Sequence, residues 1–221
     1  SVALARTYLK VRDIPADRIL LGNGSDEVLD LLFRVFCEPG KDRVITLPPT
    51  YGMYKVLAGV NAVENLEIPL DESFQPRVAE VLEHAAADTK LLFLCSPNNP
   101  TGNRMDPDRI QALLKGFPGI VVVDEAYVDF TGVESLIRVL DRYPRLVVVQ
   151  TFSKAMGLAG LRLGIAMAHP EIIEYLNRIK PPYNVNELTQ QKALEALQDQ
   201  EAKKTEVSRL LRERGRLKNS L

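Results

Sequence analysis

Four short runs of the chain are apolar almost throughout: Arg43 to Leu47, Lys90 to Cys95, Ile120 to Asp124 and Leu146 to Thr151. A strand with one wet face alternates polar and apolar side chains, so these runs predict strands buried on both faces. Between and around them, Ser25 to Cys37, Gly52 to Val60, Pro76 to Ala87, Asp106 to Lys115 and Glu134 to Asp141 carry apolar positions three and four residues apart. Several open on Asp or Ser, the usual helix starts, and all are predicted helices. Strands alternating with helices predict a mostly parallel sheet covered on both sides, an α/β fold in three α-β-α layers. Arg162 to Ala168 extends the pattern as a further strand, Glu171 to Arg178 and Glu187 onward as helices, with "KPPYNVN" as the loop between those two. In such sheets chemistry gathers at the carboxyl ends of the strands, where loops vary without disturbing the core.

The ends are unusual. Val2, Ala5, Tyr8 and Leu9 already recur at helical spacing, as though the chain opened inside a helix. Leu188, Leu194, Leu197, Val207, Leu210, Leu211 and Leu217 trace an apolar face through a charged stretch that stops without a clear cap. Both ends read as truncations.

Composition narrows the function classes. Lys plus Arg number 28 and Asp plus Glu 29, so no net field holds nucleic acid or an anionic membrane surface. In the tail "EAKKTEVSRLLRERGRLKNSL" acids interleave with bases while leucines keep helical spacing, which suits a solvated helix rather than a basic arm. No apolar run reaches the roughly 20 residues that span a bilayer, and no signal-peptide pattern opens the chain. Cys37 and Cys95 lie far apart, without CxxC or Cys/His spacing, which argues against zinc and against a secreted disulfide framework and fits the cytoplasm. His84 and His169 are isolated and receive no role, and Cys95 reads as core packing.

Candidate chemistry lies in four loops and one turn. In "LGNGSDE" a Gly-rich turn runs into the Ser25 helix, where exposed N–H groups form an anion site, or where Ser25 or Asp26 is simply the cap. "LPPTYGMY" leaves a strand and presents Tyr51, either a staple to the core or a flat platform for a planar ring. "CSPNNPTGN" holds Asn98 and Asn99 between prolines, as turn formers or as amides aimed into a cleft. "VVVDEAYVDF" ends an apolar strand on Asp124, a carboxylate that must be capped, paired or hydrogen-bonded, with Tyr127 three residues on. Finally, "TFSKAMGLAGLRLG" sets Lys154 and Arg162 in a small-residue stretch. Walled by Met156, Leu158 and Leu161, Lys154 would be an amine easily stripped of its proton. Arg162 keeps its charge and calls for an anion such as a phosphate.

The combination of "PPTYGMY", "CSPNNPTG", "VVVDEAYVDF", "TFSKAMGLAGLRLG" and "PPYNVN", in this order, resembles the fold type I aminotransferases that use pyridoxal 5'-phosphate (PLP). Within them it is most similar to the histidinol-phosphate aminotransferases. The resemblance implies a mostly parallel mixed sheet, with 1-185 as the PLP-binding large domain and 186-221 as a helical linker toward a small domain that is largely absent. It also implies Lys154 as the lysine joined to the cofactor aldehyde and as the base at the substrate Cα. Asp124 would pair with the pyridine nitrogen. Tyr127 and Asn99 would bond the phenolic oxygen, and Tyr51 would stack on the ring. Arg162, Thr151, Ser153 and the Ser25-Asp26 helix start would hold the phosphate.

The implied reaction exchanges an amino group between L-histidinol phosphate and 2-oxoglutarate, two small molecules, in a protein that is a homodimer at full length. An aromatic aminotransferase, a threonine-phosphate decarboxylase or a non-catalytic PLP-fold module are the alternatives. Tyr183 and Asn184 are candidates for the site mouth or a dimer contact, or an ordinary loop. A dinucleotide-binding dehydrogenase is disfavoured because GxGxxG is absent.

Overall fold

The all-apolar runs become the middle of a seven-stranded sheet in a computed structural model that describes residues 14–220. In chain order the strands are β1 (Ile19–Asn23), β2 (Arg43–Thr46), β3 (Glu64–Glu67), β4 (Thr89–Cys95), β5 (Ile120–Asp124), β6 (Leu146–Thr151) and β7 (Leu163–Ala168). Their spatial order is β1-β7-β6-β5-β4-β2-β3. Strands β2 to β6 pair in parallel, and β7 runs antiparallel to both its neighbours, β6 and β1. Every residue of β5 and β7 is buried, as strands covered on both faces require.

The helices are α1 (Ser25–Phe36), α2 (Met53–Val60), α3 (Val78–Glu83), α4 (Pro107–Gly116), α5 (Pro170–Ile179), α6 (Glu187–Gln198) and α7 (Gln200–Lys218). One face of the sheet is covered by α1, α2 and α5, through residues such as Leu29, Phe33, Tyr54, Leu57 and Leu176. The other face is covered by α3, α4 and α6, through Val81, Ile110, Leu113, Ala193 and Leu197. Two separate apolar clusters on one sheet make the three layers, and each fully buried Leu or Phe in them contributes roughly 1.5–3 kcal/mol.

Several boundaries differ from the sequence reading, for physical reasons. Strands β1 and β3 were not expected: β1 lies within the Gly-rich approach to α1, and β3, "ENLE", is a polar edge strand with no apolar run to betray it. The stretch read as a helix from Glu134 to Asp141 is only a 3-10 turn, Leu136–Val139, opened by the Ser135 side chain, which accepts from the Ile137 N–H. The apolar stripe beyond Glu187 is divided between two helices, because Asp199 ends α6 and caps α7 by accepting from the Ala202 N–H at 2.9 Å. Leu197 packs in the core, whereas Leu188, Leu210 and Leu217 are exposed. The helical spacing from Val2 to Leu9 lies outside the described residues.

Candidate active site

Reversal of β7 is what brings the two cations of "TFSKAMGLAGLRLG" to one end of the sheet. Lys154 follows the carboxyl end of β6, and Arg162 immediately precedes the start of β7. Because β6 and β7 are antiparallel, with Thr151 opposite Gly164, both cations lie at the same edge of the sheet. A 3-10 turn at Ala159–Leu161 closes the connection and leaves Arg162 in the left-handed region at φ 51°. That is a costly conformation for a residue with a Cβ, held by the structure around it.

The edge also carries the ends of β4 and β5, where Cys95 and Asp124 are register partners, and the start of α1. Together these elements line a pocket that opens to solvent. All ten predicted site residues line it: Ser25, Asp26, Tyr51, Asn99, Asp124, Tyr127, Thr151, Ser153, Lys154 and Arg162. Cys95 and Ala126 line it as well.

One end of the pocket suits an anion. The N-cap of α1 is Gly24, with φ 83° and no side-chain cap, so neither Ser25 nor Asp26 plays the capping part weighed for them. The first-turn N–H groups face outward beneath the positive end of the helix dipole. Close approach requires glycine at two positions. A Cβ on Gly164 would meet the Ser25 nitrogen at 2.3 Å, and one on Gly24 would meet the Arg162 guanidinium at 2.6 Å. The Thr151 hydroxyl accepts from the Ser153 N–H at 3.1 Å and lies 3.0 Å from the Ser153 hydroxyl. Arg162 is 3.6 Å from the Asp26 carboxylate, which also accepts from Tyr51 Oη at 3.1 Å. The Asp26 carboxylate therefore orients the guanidinium and the tyrosine.

The other end holds the acid and the amine. Asp124 is 4% exposed; its Oδ2 accepts from Tyr54 Oη at 2.8 Å and its Oδ1 from the Ala126 N–H at 3.0 Å. Burial raises its carboxyl above the ordinary value, opposed by these two hydrogen bonds and by Lys154. The Lys154 ammonium lies 5.2 Å from the centre of the Tyr127 ring. The apolar wall expected around it is absent: Lys154 is exposed, while Met156 and Leu158 pack on the core. Tyr51, half-buried, has its hydroxyl pushed up to about 12, by burial first and Asp26 second. Burial also pushes the Cys95 thiol up to about 12, so it forms an inert part of the pocket floor rather than core alone.

The two asparagines separate. Asn98 is buried and ties loops together, donating to the Pro49 carbonyl at 2.8 Å and accepting from Thr50 at 3.0 Å, whereas Asn99 faces the pocket. Tyr183 and Asn184 do not line it. Asn184 donates to the Leu21 carbonyl at 2.9 Å and to Glu27 at 2.7 Å, anchoring its loop beside α1, and Tyr183 is 97% exposed. Sequence reasoning missed Tyr54. Its signal was the three-residue step from Tyr51, which puts both rings on the inner side of the α2 start.

Fold and pocket together define an α/β protein in which the carboxyl ends of the central strands set an amine and a buried acid beside a helix start without a side-chain cap. The chain belongs to the aminotransferase class I and II family, whose family model matches residues 2–221. It is 59% identical over 200 residues to a histidinol-phosphate aminotransferase of Flavobacterium johnsoniae, covering 90% of this chain and 57% of that protein. It is 51% identical over 211 residues to one of Cytophaga hutchinsonii, covering 96% and 61%. The chain thus spans about three fifths of the length of these curated relatives.

Among solved structures, histidinol-phosphate aminotransferase from Sinorhizobium meliloti in complex with pyridoxal-5'-phosphate superposes with a TM-score of 0.90 at 24% identity, covering 97% of this chain and 59% of that one. L-threonine-O-3-phosphate decarboxylase from Porphyromonas gingivalis gives 0.77 at 25% identity, covering 90% and 61%.

Proposed function

We propose that this chain is the cofactor-binding part of a PLP-dependent transaminase acting on L-histidinol phosphate and 2-oxoglutarate, to give imidazole-acetol phosphate and L-glutamate in histidine biosynthesis. The observation that carries the reading is the convergence in one pocket of Asp124, from the end of β5, with Lys154 and Arg162, from the two ends of the β6–β7 connection. The donor set fits PLP: an anion cradle at one end, a buried carboxylate, an aromatic ring and an amine. The names of curated relatives at 51% and 59% identity support the choice of substrate.

Bound there, PLP would supply a reactive aldehyde and a protonated ring that withdraws electrons from the substrate Cα. Lys154 would be the amine that meets the aldehyde end of the cofactor and the base that moves the proton at the substrate Cα. Asp124 would face the pyridine nitrogen and favour its protonated form. Tyr127 and Asn99 would bond the phenolic oxygen, and Tyr51 would offer its ring as a platform. Arg162, the hydroxyls of Ser25, Thr151 and Ser153, and the Asp26 backbone N–H hold the phosphate.

In this reading 1-185 is the large domain and 186-221 a helical link toward a further domain, with the enzyme cytoplasmic and homodimeric at full length. Among the described residues no helix is long and apolar enough to cross a membrane. The test is a panel of amino donors supplied to the full-length enzyme with PLP and 2-oxoglutarate. Glutamate formation from L-histidinol phosphate, well above that from aromatic amino acids, is expected, and the reverse preference would reassign the substrate.

A further inference from the structure

The carboxylate at the centre of this site is held from behind by a residue outside the pocket lining. Tyr54, in the first turn of α2, is fully buried, and its hydroxyl donates to Asp124 Oδ2 at 2.8 Å. Its ring lies between two others: it stacks on Phe93 at 4.8 Å with an interplanar angle of 15°, and meets Tyr51 edge-on at 5.5 Å and 84°. Phe93 stacks in turn on Phe33 of α1 at 5.3 Å. An aromatic column therefore runs from α1 along one face of the sheet to the pocket. Its last two members are the ring platform and the donor to the acid.

We propose that Tyr54 is a positioning residue, which fixes the Asp124 carboxylate toward the pocket and keeps it ionised there. The inference rests on the functional reading above, in which Asp124 meets the pyridine nitrogen. The chemistry is that of a buried acid. Water cannot solvate Asp124, so its charge depends on the donors that reach it. Ala126 supplies one to Oδ1 and Tyr54 one to Oδ2, from opposite ends of the carboxylate. Two fixed donors also set the plane of the group, leaving its remaining lone pairs for the pocket. Burial and Asp124 itself push the Tyr54 hydroxyl well above its ordinary value, so it stays a donor throughout the working range. Besides Asp124 the hydroxyl meets only the weakly bonding Cys95 thiol among the described partners, and phenylalanine would fill the same place in the column.

The test is Tyr54→Phe, which removes one oxygen and keeps the ring. In the apoprotein, NMR of carboxyl-labelled aspartate should show Asp124 titrating at higher pH than in the wild type, because the ionised form has lost a donor. PLP titrated into apoprotein should bind about tenfold more weakly near neutrality, the effect of one hydrogen bond to a charged group. The deficit should narrow as the pH rises and Asp124 ionises without help.

Phe93→Leu is the companion variant. It should lower the melting temperature without moving the Asp124 titration, whereas a purely structural Tyr54 would make both variants behave that way. Identical titration and PLP binding in wild type and Tyr54→Phe would overturn this inference alone, as would a shift reproduced by Phe93→Leu. Failure of the wild type to bind PLP at all would overturn the functional reading and this inference with it.

Discussion

Asp124 and Glu125 are consecutive acids that leave the end of β5 toward opposite faces of the sheet. Asp124 takes its donors from Tyr54 and Ala126 on the pocket side. Glu125 accepts from the Leu136 N–H and the Gln150 side chain, both at 2.8 Å, and from the Ser135 hydroxyl. It thereby pins the Leu136–Val139 turn against β6. The alternation of a strand has sorted two identical chemistries into a site and a brace.

Glu125→Ala removes the acceptor shared by three buried or half-buried donors. It should cost about 2–4 kcal/mol in urea unfolding. Once folded, the variant should bind PLP as the wild type does, which equilibrium titration of apoprotein would check.

Asp124→Asn should do the opposite. An asparagine can accept from Ala126 through its oxygen and donate to Tyr54 through its nitrogen, so the site stays satisfied without a buried charge. Burial raises the folded-state value of Asp124 above its unfolded value of 3.8, so below both values the charge costs nothing. As pH rises between them the unfolded chain ionises first, and wild-type stability falls. Apoprotein carrying Asn should therefore melt together with the wild type in acid and above it near neutrality. It should also lose tight PLP binding; a variant that gained stability yet bound PLP normally would remove Asp124 from the ring-nitrogen role.

The glycine contacts predict a coupled defect. In Gly164→Ala the new methyl meets backbone of Gly24 and Ser25, not a side chain that can swing away. Separating α1 from β7 should cost about 1–3 kcal/mol, as overpacking does. It should weaken PLP and inorganic phosphate together, because the helix start and Arg162 move apart. Thermal melts and phosphate competition would measure both.

Arg162→Lys keeps the charge and loses the fork. The guanidinium reaches Asp26 on one side and has further N–H groups for an anion, a division that a single ammonium cannot reproduce. PLP should bind roughly 10–100-fold more weakly, the range for hydrogen bonds to charged groups. Pyridoxal without phosphate should bind with little change, and that comparison separates phosphate contact from general damage.

Much of this site was legible in the sequence because each element has a short-range signature: unbroken apolar runs for β4, β5 and β6, and a loop of distinct chemistry after each. The residues read from those loops, with Ser25, Asp26 and Tyr51 from the approaches to α1 and α2, lie in one pocket. What stayed hidden was set by tertiary contact. Tyr54 and Phe93 are ordinary core residues by pattern, and their column exists only once α2 lies on β4. Strand β3 has no apolar run to reveal it. The choice between anion site and side-chain cap at α1, open in the sequence, is decided by a glycine cap at φ 83°, a backbone conformation that side chains rarely adopt, with the Arg162 guanidinium beside it.

The most direct measurement is to mix the purified protein with PLP, reduce it with borohydride, digest it and locate the modified residue by mass spectrometry. The cofactor should be recovered on Lys154 alone, and Lys154→Ala should abolish the label while Arg162→Lys only weakens it. Labelling of a different lysine, or none in a protein that retains PLP, would contradict the assignment on which the mechanism depends.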